Sequence, residues 1–187
     1  MNSTSLLKVM YRKVKASYRA LYPRRRTMQA IFSEINEKNL WANAQSVSGR
    51  GSTLERTEVI RQTLPTVLKE LNAQTLLDIP CGDLNWMQHT ALGSVKYIGA
   101  DVVPDLIDRN QRLFSKHGKD FMVLDITQDR LPTVDAILCR DCFIHLSMAD
   151  INLAIANVKR SGSRYLLVTT HVGVNENEDI ETGLALD

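Results

Sequence analysis

The chain has 187 residues, of which 44% are hydrophobic and 24% charged, and its net charge is +2 at pH 7. This length and composition are typical of one globular domain with its own core. The sequence has no apolar run long enough to span a membrane and no pattern of a secretory signal, and its three cysteines make no disulfide framework. These features predict a cytoplasmic protein.

The N-terminal segment differs in charge from the rest of the chain. Residues 1–30 contain eight Lys and Arg residues and no acid, and their apolar residues recur at a helical spacing. We interpret residues 1–30 as a basic amphipathic extension and residues 31–187 as the main domain. The extension is either a solvated segment, a helix that packs on a second copy of the chain, or a helix that contacts an anionic membrane surface or partner. Nucleic acid is an unlikely partner, since no reader motif accompanies the charge.

Apolar periodicity and turn residues predict strands alternating with helices along the main domain. The predicted helices are 28–40, 55–71 (bent or split before Pro65), one that follows the first strand, 104–118, and one beginning near Ser147. Five residues of the second of these helices are expected to face the sheet, namely Val59, Ile60, Val67, Leu68 and Leu71. The predicted strands are an apolar run ending at Asp78, then 95–101, 121–124, 134–139 and 165–170. Alternation of this kind favours a parallel sheet.

The stretch from Leu76 to Met87 organises this pattern. It begins as an apolar run, breaks at Pro80 and Gly82, and is expected to continue as the first helix of a βαβ unit. Asp78 ends the first strand, and Asp101 ends the second. Because an acid at the end of the second strand commonly binds ribose hydroxyls in doubly wound sheets, the pair predicts a nucleoside-containing cofactor.

The glycines narrow the choice of cofactor. The dinucleotide fingerprint needs three glycines, and the corresponding places hold Pro80, Gly82 and Asn85. S-adenosylmethionine (SAM) has a ribose but no phosphates, so it demands less of this loop. Its cationic groups also favour carboxylates, which Asp78 and Asp83 supply. NAD, and with it an oxidoreductase, is the weaker alternative.

Three segments carry a resemblance to a known family: 78–83 (DIPCGD), 97–101 (YIGAD) and 138–146 (LCRDCFIHL). They resemble class I SAM-dependent methyltransferases, and more narrowly a bacterial group whose first motif reads D-x-P-C-G-D. The similarity runs from about residue 31 to residue 183. The chain departs from the general D-x-G-x-G-x-G motif at Pro80 and Leu84. The resemblance implies a Rossmann-like, doubly wound, mostly parallel sheet.

The resemblance also implies site residues. The expected cofactor-binding residues are Asp78, Cys81, Gly82, Asp101, Asp125 and Asp141. Asp125 stands where the family commonly places an acid against the adenine amino group, although a turn cap would equally explain it. Arg61 is either a clamp for the cofactor carboxylate or a surface arginine. Residues 46–52 form either a lid over the cofactor or a plain connector.

The end of the fourth strand holds the candidate catalytic residues, Asp141 and His145. Either side chain is a candidate general base toward an acceptor hydroxyl or amine. Alternatively, His145 is structural and Asp141 only orients the cofactor or a loop, because methyl transfer can proceed by positioning alone. A zinc site at Cys139, Cys142 and His145 is disfavoured because the paired Cys-x-x-Cys knuckles are missing. We therefore expect buried thiols and no metal.

The sequence after the fifth strand bears on activity. Class I methyltransferases usually continue with a helix and an antiparallel strand pair, whereas only four residues follow Gly183. We therefore expect the C-terminal strand pair to be missing. The expected function is methyl transfer from SAM to a small-molecule or glycan-like acceptor. The first alternative is a C-terminally truncated, non-catalytic SAM-binding or interaction module, and the second is an NAD-dependent oxidoreductase. The sequence also leaves open whether the chain forms a homo-oligomer.

Overall fold

The computed structural model describes residues 26–170 and 178–184. In this part of the chain, five parallel strands form one sheet in the order β3-β2-β1-β4-β5. The strands are β1 (Thr75–Asp78), β2 (Lys96–Asp101), β3 (Lys119–Val123), β4 (Ala136–Cys139) and β5 (Tyr165–Val168). The described α-helices are α1 (Met28–Glu37), α2 (Glu58–Glu70), α3 (Pro104–Phe114) and α4 (Met148–Ser161). The predicted α/β architecture is confirmed.

The central strand, β1, pairs with β2 on one side and with β4 on the other. Asp78 lies opposite Gly99 of β2 and Leu138 of β4. The chain order reverses between β1 and β4, which makes this the switch point of a doubly wound sheet. Ligands of such sheets bind outside the carboxyl ends of the strands at that point.

Each face of the sheet has its own apolar cluster. On one face, Leu64 and Leu68 of α2 pack with Leu76 and Tyr97 of the sheet. On the other, Ala154 and Val158 of α4 pack with Leu77 and Ile137. Strands buried on both faces need continuous apolar runs, and this is why β1 and β4 were recognisable in the sequence.

The connection between β1 and β2 corrects the sequence analysis. No α-helix follows β1; residues 79–95 form turns and one short 3₁₀ helix, Met87–His89. Gly82 and Leu84 both have positive φ, at 54° and 56°, so the chain cannot continue as a right-handed helix. The apolar side chains here are nevertheless buried, with Leu84, Trp86 and Met87 joining the core. Tertiary packing thus replaces helical hydrogen bonding in this connection.

Helix α2 also differs from expectation. It runs without a break from Glu58 to Glu70 with Pro65 inside it. Its buried residues are Leu64 and Leu68, whereas Val59, which was expected to face the sheet, is 71% exposed. Leu68, Ile60 and Leu71 pack in or against the core cluster as expected, whereas Leu64 was missed.

Two helix starts agree with their sequence signals. Pro104 begins α3, and the Ser147 side chain caps α4 by accepting from the backbone N–H of Asp150. Helix α3 ends at Phe114, and a 3₁₀ turn leads to Gly118, which we had expected to end the helix. Most of the basic extension, residues 1–25, and His171 lie outside the described residues. In the described ranges, no helix is both long and apolar enough to cross a membrane.

Candidate active site

A cavity of about 390 Å³ lies at the carboxyl ends of β1, β2 and β4. Its floor is the turn after β1, and its walls include α1 and the loop of residues 46–52, which we call the lid loop. The cavity brings together six of the seven residues predicted to bind the cofactor or to take part in catalysis: Asp78, Cys81, Gly82, Asp101, Asp141 and His145. Much of the remaining lining is apolar or aromatic, from Met28, Phe32, Trp41, Trp86 and Ile144.

Asp101 connects the end of β2 to the turn after β1. Its Oδ2 accepts from the backbone N–H of Gly82 at 3.0 Å, and its Oδ1 accepts from that of Val103 at 3.0 Å. An ionised carboxylate has about four acceptor positions, so each oxygen still has capacity for a ligand hydroxyl. Burial raises the pKa of Asp101 to about 6, although its backbone hydrogen bonds oppose the shift.

Gly82 lies where the turn approaches the lid loop most closely. Its φ of 54° is the left-handed region that favours glycine, and a Cβ built on it would overlap Ser48 Oγ and lie 3.0 Å from Ser48 Cβ. Its carbonyl accepts from Asn110 Nδ2 at 2.7 Å, and Asn110 is fully buried. The turn is thus fixed from three sides, by Asp101, Asn110 and the lid loop.

Asp83 holds the lid loop and does not line the cavity. Its carboxylate accepts from Ser46 Oγ at 2.9 Å, from the Val47 N–H at 3.1 Å and from Ser48 Oγ at 3.4 Å. We had expected Asp83 to attract the cationic groups of the cofactor, and the structure instead gives its carboxylate to the loop. The lid loop also lines the cavity, an arrangement that favours a lid over a plain connector.

Two further residues hold the other half of the lid loop. Asn85 Nδ2 donates to the Ser52 carbonyl at 2.9 Å, and Arg140 Nη2 donates to the Gly51 carbonyl at 2.9 Å. Arg140 also forms an ion pair with Asp141 at 2.8 Å, and its guanidinium lies 5.5 Å from the centre of the Trp86 ring. The end of β4 is therefore tied to the lid, and the charge of Asp141 is already balanced.

Asp78 is buried at the end of β1. Its Oδ2 accepts from the Tyr97 hydroxyl at 2.7 Å. Burial raises the pKa of Asp78 to about 7; Asp101 raises it further, whereas the Tyr97 hydrogen bond and Arg140 lower it. Asp78 and Asp101 together make the floor of the cavity acidic.

His145 lies in the turn after β4. Its Nδ1 is 3.2 Å from the carbonyl oxygen of Leu184, and its ring stacks on Trp41 with centroids 4.9 Å apart. Because a carbonyl only accepts, Nδ1 carries the proton in this contact and Nε2 is left as the acceptor. Burial lowers the pKa of His145, which favours the neutral ring at pH 7.

Two predicted residues lie away from the cavity. Asp125 caps its own turn: its Oδ1 accepts from the Thr127 N–H at 2.9 Å and its Oδ2 from Gln128 Nε2 at 2.9 Å. Its neighbours Leu124 and Ile126 line the cavity in its place. Arg61 does not line the cavity, and its Nη2 donates to the Leu54 carbonyl at 3.0 Å, so this arrangement does not support a clamp for the cofactor carboxylate. A role for Asp125 toward the adenine stays a prediction.

The thiols at this edge are held in their neutral form. Burial raises the pKa of Cys81, and a hydrogen bond with Cys139 together with burial raises that of Cys142. Within the described ranges, no three His, Cys, Asp or Glu side chains are grouped so that they could hold a metal ion.

Sequence reasoning missed the aromatic wall and the residues that support the floor. Phe32 and Trp41 line the cavity, but they lie before the first strand, in a stretch whose residues were assigned no individual role. Tyr97 and Asn110 fell within a predicted strand and a predicted helix and were assigned no role of their own. The one available signal was the helical spacing that places Asn110 beside Leu106 and Ile107 on the buried side of its helix, where a polar group needs a partner.

The sheet order and the cavity at its switch point are those of a Rossmann-like α/β fold. Residues 76–162 match the family model described as a methyltransferase domain. The matched region contains β1 to β4, α3, α4 and most of the cavity floor. No curated protein sequence is significantly similar to this chain.

Three solved structures show the same fold at low sequence identity. The PH0226 protein from Pyrococcus horikoshii OT3 has 18% identity and a TM-score of 0.51, over 63% of this chain and 59% of that one. Magnesium protoporphyrin IX methyltransferase from Synechocystis PCC 6803, solved with bound S-adenosylhomocysteine (SAH), has 14% identity and a TM-score of 0.54, over 71% and 64%. The N-methyltransferase NodS from Bradyrhizobium japonicum WM9, also solved with SAH, has 20% identity and a TM-score of 0.54, over 69% and 66%. This chain therefore spans less than two thirds of each of these proteins.

Proposed function

We propose that this protein binds SAM and transfers its methyl group to a small-molecule or glycan-like acceptor. The observation that carries the proposal is the pair of buried carboxylates, Asp78 and Asp101, on the floor of a cavity at the switch point. Support also comes from the methyltransferase-domain match and from neighbours solved with SAH.

The cavity suits SAM in size and in charge. Its volume of about 390 Å³ falls in the range of small-molecule and cofactor pockets. Asp101 has spare acceptor capacity for the ribose hydroxyls, and a cation would offset the burial of the Asp78 charge. A pyrophosphate, by contrast, would bring negative charge to this acidic floor, where Arg140 is already paired with Asp141. The same floor therefore argues against the NAD alternative.

Bound SAM supplies an electrophilic methyl group, and the chain's part is to hold the acceptor in line and to remove its proton. We propose His145 as the proton acceptor, since Leu184 fixes its tautomer and Trp41 fixes its ring plane. The aromatic wall, Phe32 and Trp41, suits an acceptor with a planar ring or with the apolar face of a sugar ring. Asp141, held by Arg140, is assigned to orientation.

Calorimetric titration with SAM, SAH and NAD tests the cofactor. We expect micromolar binding of SAM and SAH and no binding of NAD. Absence of SAM binding in a cooperatively folded sample would refute the proposal, and binding of NAD alone would restore the oxidoreductase alternative. SAM binding without product across an acceptor screen would favour the non-catalytic module. Contact of residues 1–30 with a membrane surface or a second copy stays a separate proposal, which vesicle sedimentation and light scattering would test.

The pH dependence of binding follows from the two raised pKa values. As pH rises through about 6, Asp101 ionises and strengthens its contacts with the ribose, which both ligands share. As pH rises through about 7, Asp78 ionises, and its charge favours the sulfonium of SAM over the neutral sulfur of SAH. We expect the preference for SAM over SAH to increase by about tenfold between about pH 5 and about pH 8, which corresponds to one charge interaction of about 1.4 kcal/mol. Titrations with both ligands across this range measure it, and a flat ratio would contradict it.

The stability of the ligand-free protein should change in the opposite direction. A carboxyl with a raised pKa holds its proton in the folded state at a pH where the unfolded chain has lost it. The free energy of unfolding should therefore fall as pH rises from about 4 to about 7, the window set by the unfolded and folded pKa values of Asp78. Saturating SAM should reduce this fall, because the ligand stabilises the ionised form.

Replacing His145 by glutamine tests the proposed base. We expect kcat to fall by about a hundredfold or more, the usual contribution of general base catalysis, with little change in SAM affinity. His89, on the exposed side of its 3₁₀ helix, provides the matched control, His89→Gln, which should leave kcat unchanged. A kcat within about twofold of wild type would assign the proton transfer elsewhere or show that positioning alone suffices.

A further inference from the structure

We infer that Tyr97 is a positioning residue of the SAM site: it lies in space that Gly99 leaves open and holds the Asp78 carboxylate charged and oriented at the cavity floor. The inference rests on the proposed function for its ligand. The interaction between the three residues is a feature of the ligand-free protein and can be measured without the ligand.

The register of the sheet explains how Tyr97 reaches Asp78. Tyr97 lies opposite Leu76, and Gly99 lies opposite Asp78. Side chains two positions apart in a strand lie on the same face, so Tyr97, Gly99, Leu76 and Asp78 share one face of the sheet. The Tyr97 hydroxyl therefore has to extend two residues along β2 to meet Asp78, and it does so at 2.7 Å.

Gly99 makes this path available. A Cβ built on Gly99 would lie 3.1 Å from Cε1 of Tyr97 and 2.8 Å from Cδ1 and Cε1 of Phe121. The two rings meet edge to face over this position, with centroids 6.2 Å apart. Any larger residue at 99 would displace one ring or both. The glycine thus makes room for both rings, Phe121 most closely and Tyr97 beside it, since its backbone has no positive φ to require a glycine.

The surroundings of Asp78 make the hydroxyl necessary. Asp78 is 2% exposed, and Tyr97 is also 2% exposed. Besides Tyr97, the charged and titratable groups that act on Asp78 are Asp101 at the end of β2, Cys81 in the turn after β1 and Arg140 after β4. Arg140 instead pairs with Asp141 and donates to the lid loop. Among the described residues, Tyr97 is therefore the one whose side chain donates a hydrogen bond to Asp78. A hydrogen bond to the ionised form stabilises that form.

The test replaces Tyr97 by phenylalanine and follows the preference for SAM over SAH against pH. We expect the midpoint of this profile to move up by about one pH unit, the effect of losing one hydrogen bond to a charged group. SAM affinity at pH 7 should fall by about fivefold, because the ionised fraction of Asp78 at that pH drops from about a half to about a tenth. At about pH 9, where Asp78 ionises even without its partner, affinity should approach that of wild type. Recovery at high pH is a result that a merely structural role for Tyr97 would not produce.

Two further variants make the test specific. Tyr165→Phe removes a hydroxyl from β5 that contacts only Arg164 among the described hydrogen bonds, and it should leave the profile unchanged. Gly99→Ala, which crowds the Tyr97 and Phe121 rings, should shift the profile in the same direction as Tyr97→Phe. If Tyr97→Phe does not fold, Gly99→Ala provides the same test of the profile.

The ionisation of Asp78 in the ligand-free protein separates this inference from the proposed function. Carbon-detected NMR of labelled aspartate, assigned with Asp78→Asn, should show a higher pKa for Asp78 in Tyr97→Phe than in wild type. That result would support the inference even if the protein bound neither SAM nor SAH. An unchanged Asp78 titration in a folded Tyr97→Phe variant would overturn it, and so would an unchanged binding profile.

Discussion

Gly82→Ala is expected to reduce SAM affinity by about a hundredfold or more and to lower the free energy of unfolding by about 2–5 kcal/mol, the sum of overpacking and left-handed strain. The new Cβ would overlap Ser48 Oγ and lie 3.0 Å from Ser48 Cβ. Relief requires either the lid loop or the turn to move. Either movement disturbs the hydrogen bond that the Gly82 N–H donates to Asp101, and it opens the cavity where the cofactor is proposed to lie. Calorimetric titration and denaturant unfolding measure the two effects.

Gly93 provides a matched control for the backbone. Its φ is 62°, close to that of Gly82, and a Cβ built on it would meet nothing within 4 Å. Gly93→Ala should therefore show only the left-handed strain, about 1–2 kcal/mol, with SAM affinity unchanged. The difference between the two alanine variants then measures the contact with the lid loop alone.

A second-site change identifies the contact itself. Ser48→Gly removes both atoms that the new Cβ would meet, so it should restore a large part of the affinity that Gly82→Ala loses. Restoration will be incomplete, because Ser48 Oγ also accepts from the Asp83 N–H at 3.1 Å. If Gly82→Ala alone binds SAM as wild type does, the lid and the turn are not part of the cofactor site.

The parts of the fold that the sequence predicted are those set by local pattern. Strands β1 and β4 are buried on both faces and therefore appear as continuous apolar runs. The start of α4 follows from Ser147, whose capping depends on residues within one turn. Asp78 and Asp101 could be placed near each other, because the ends of adjacent parallel strands always share one edge of the sheet.

The parts that the sequence did not predict depend on contacts between distant residues. Asp83 has the same chemistry as Asp78, but it binds the lid loop, 35 to 37 residues earlier in the chain. Asp125 precedes Thr127 and Gln128, and these local donors engage its carboxylate. The segment after β1 has helical composition, yet the positive φ values of Gly82 and Leu84 turn it away from a helix. Local propensity alone cannot decide such cases.

Asp101→Ala is expected to weaken SAM and SAH by the same factor, about a hundredfold or more, because each hydrogen bond to a charged group contributes about 1.5–3 kcal/mol and the ribose is common to both ligands. The loss extends beyond the contact with the ribose. Asp101 also accepts from Gly82 and Val103, so its removal leaves two buried N–H groups unsatisfied and loosens the turn that the ligand approaches. Thermal unfolding and titration with both ligands measure the two consequences.

The matched control is Asp120→Ala on the neighbouring strand β3. Among the described residues, its exposed carboxylate pairs only with Lys96, at 3.2 Å, so its removal should affect the binding of neither ligand. Asp101→Asn keeps one carbonyl oxygen, so it should retain part of the turn's stability and lose most of the ligand affinity. An equal loss of affinity for SAM and SAH distinguishes the role of Asp101 from that of Asp78. Loss of Asp78 should weaken SAM binding more than SAH binding, because only SAM carries the sulfonium charge. If a folded Asp101→Ala variant bound both ligands as wild type does, Asp101 would not contact the ribose. If it weakened SAM alone, the two carboxylates would have exchanged the roles proposed for them.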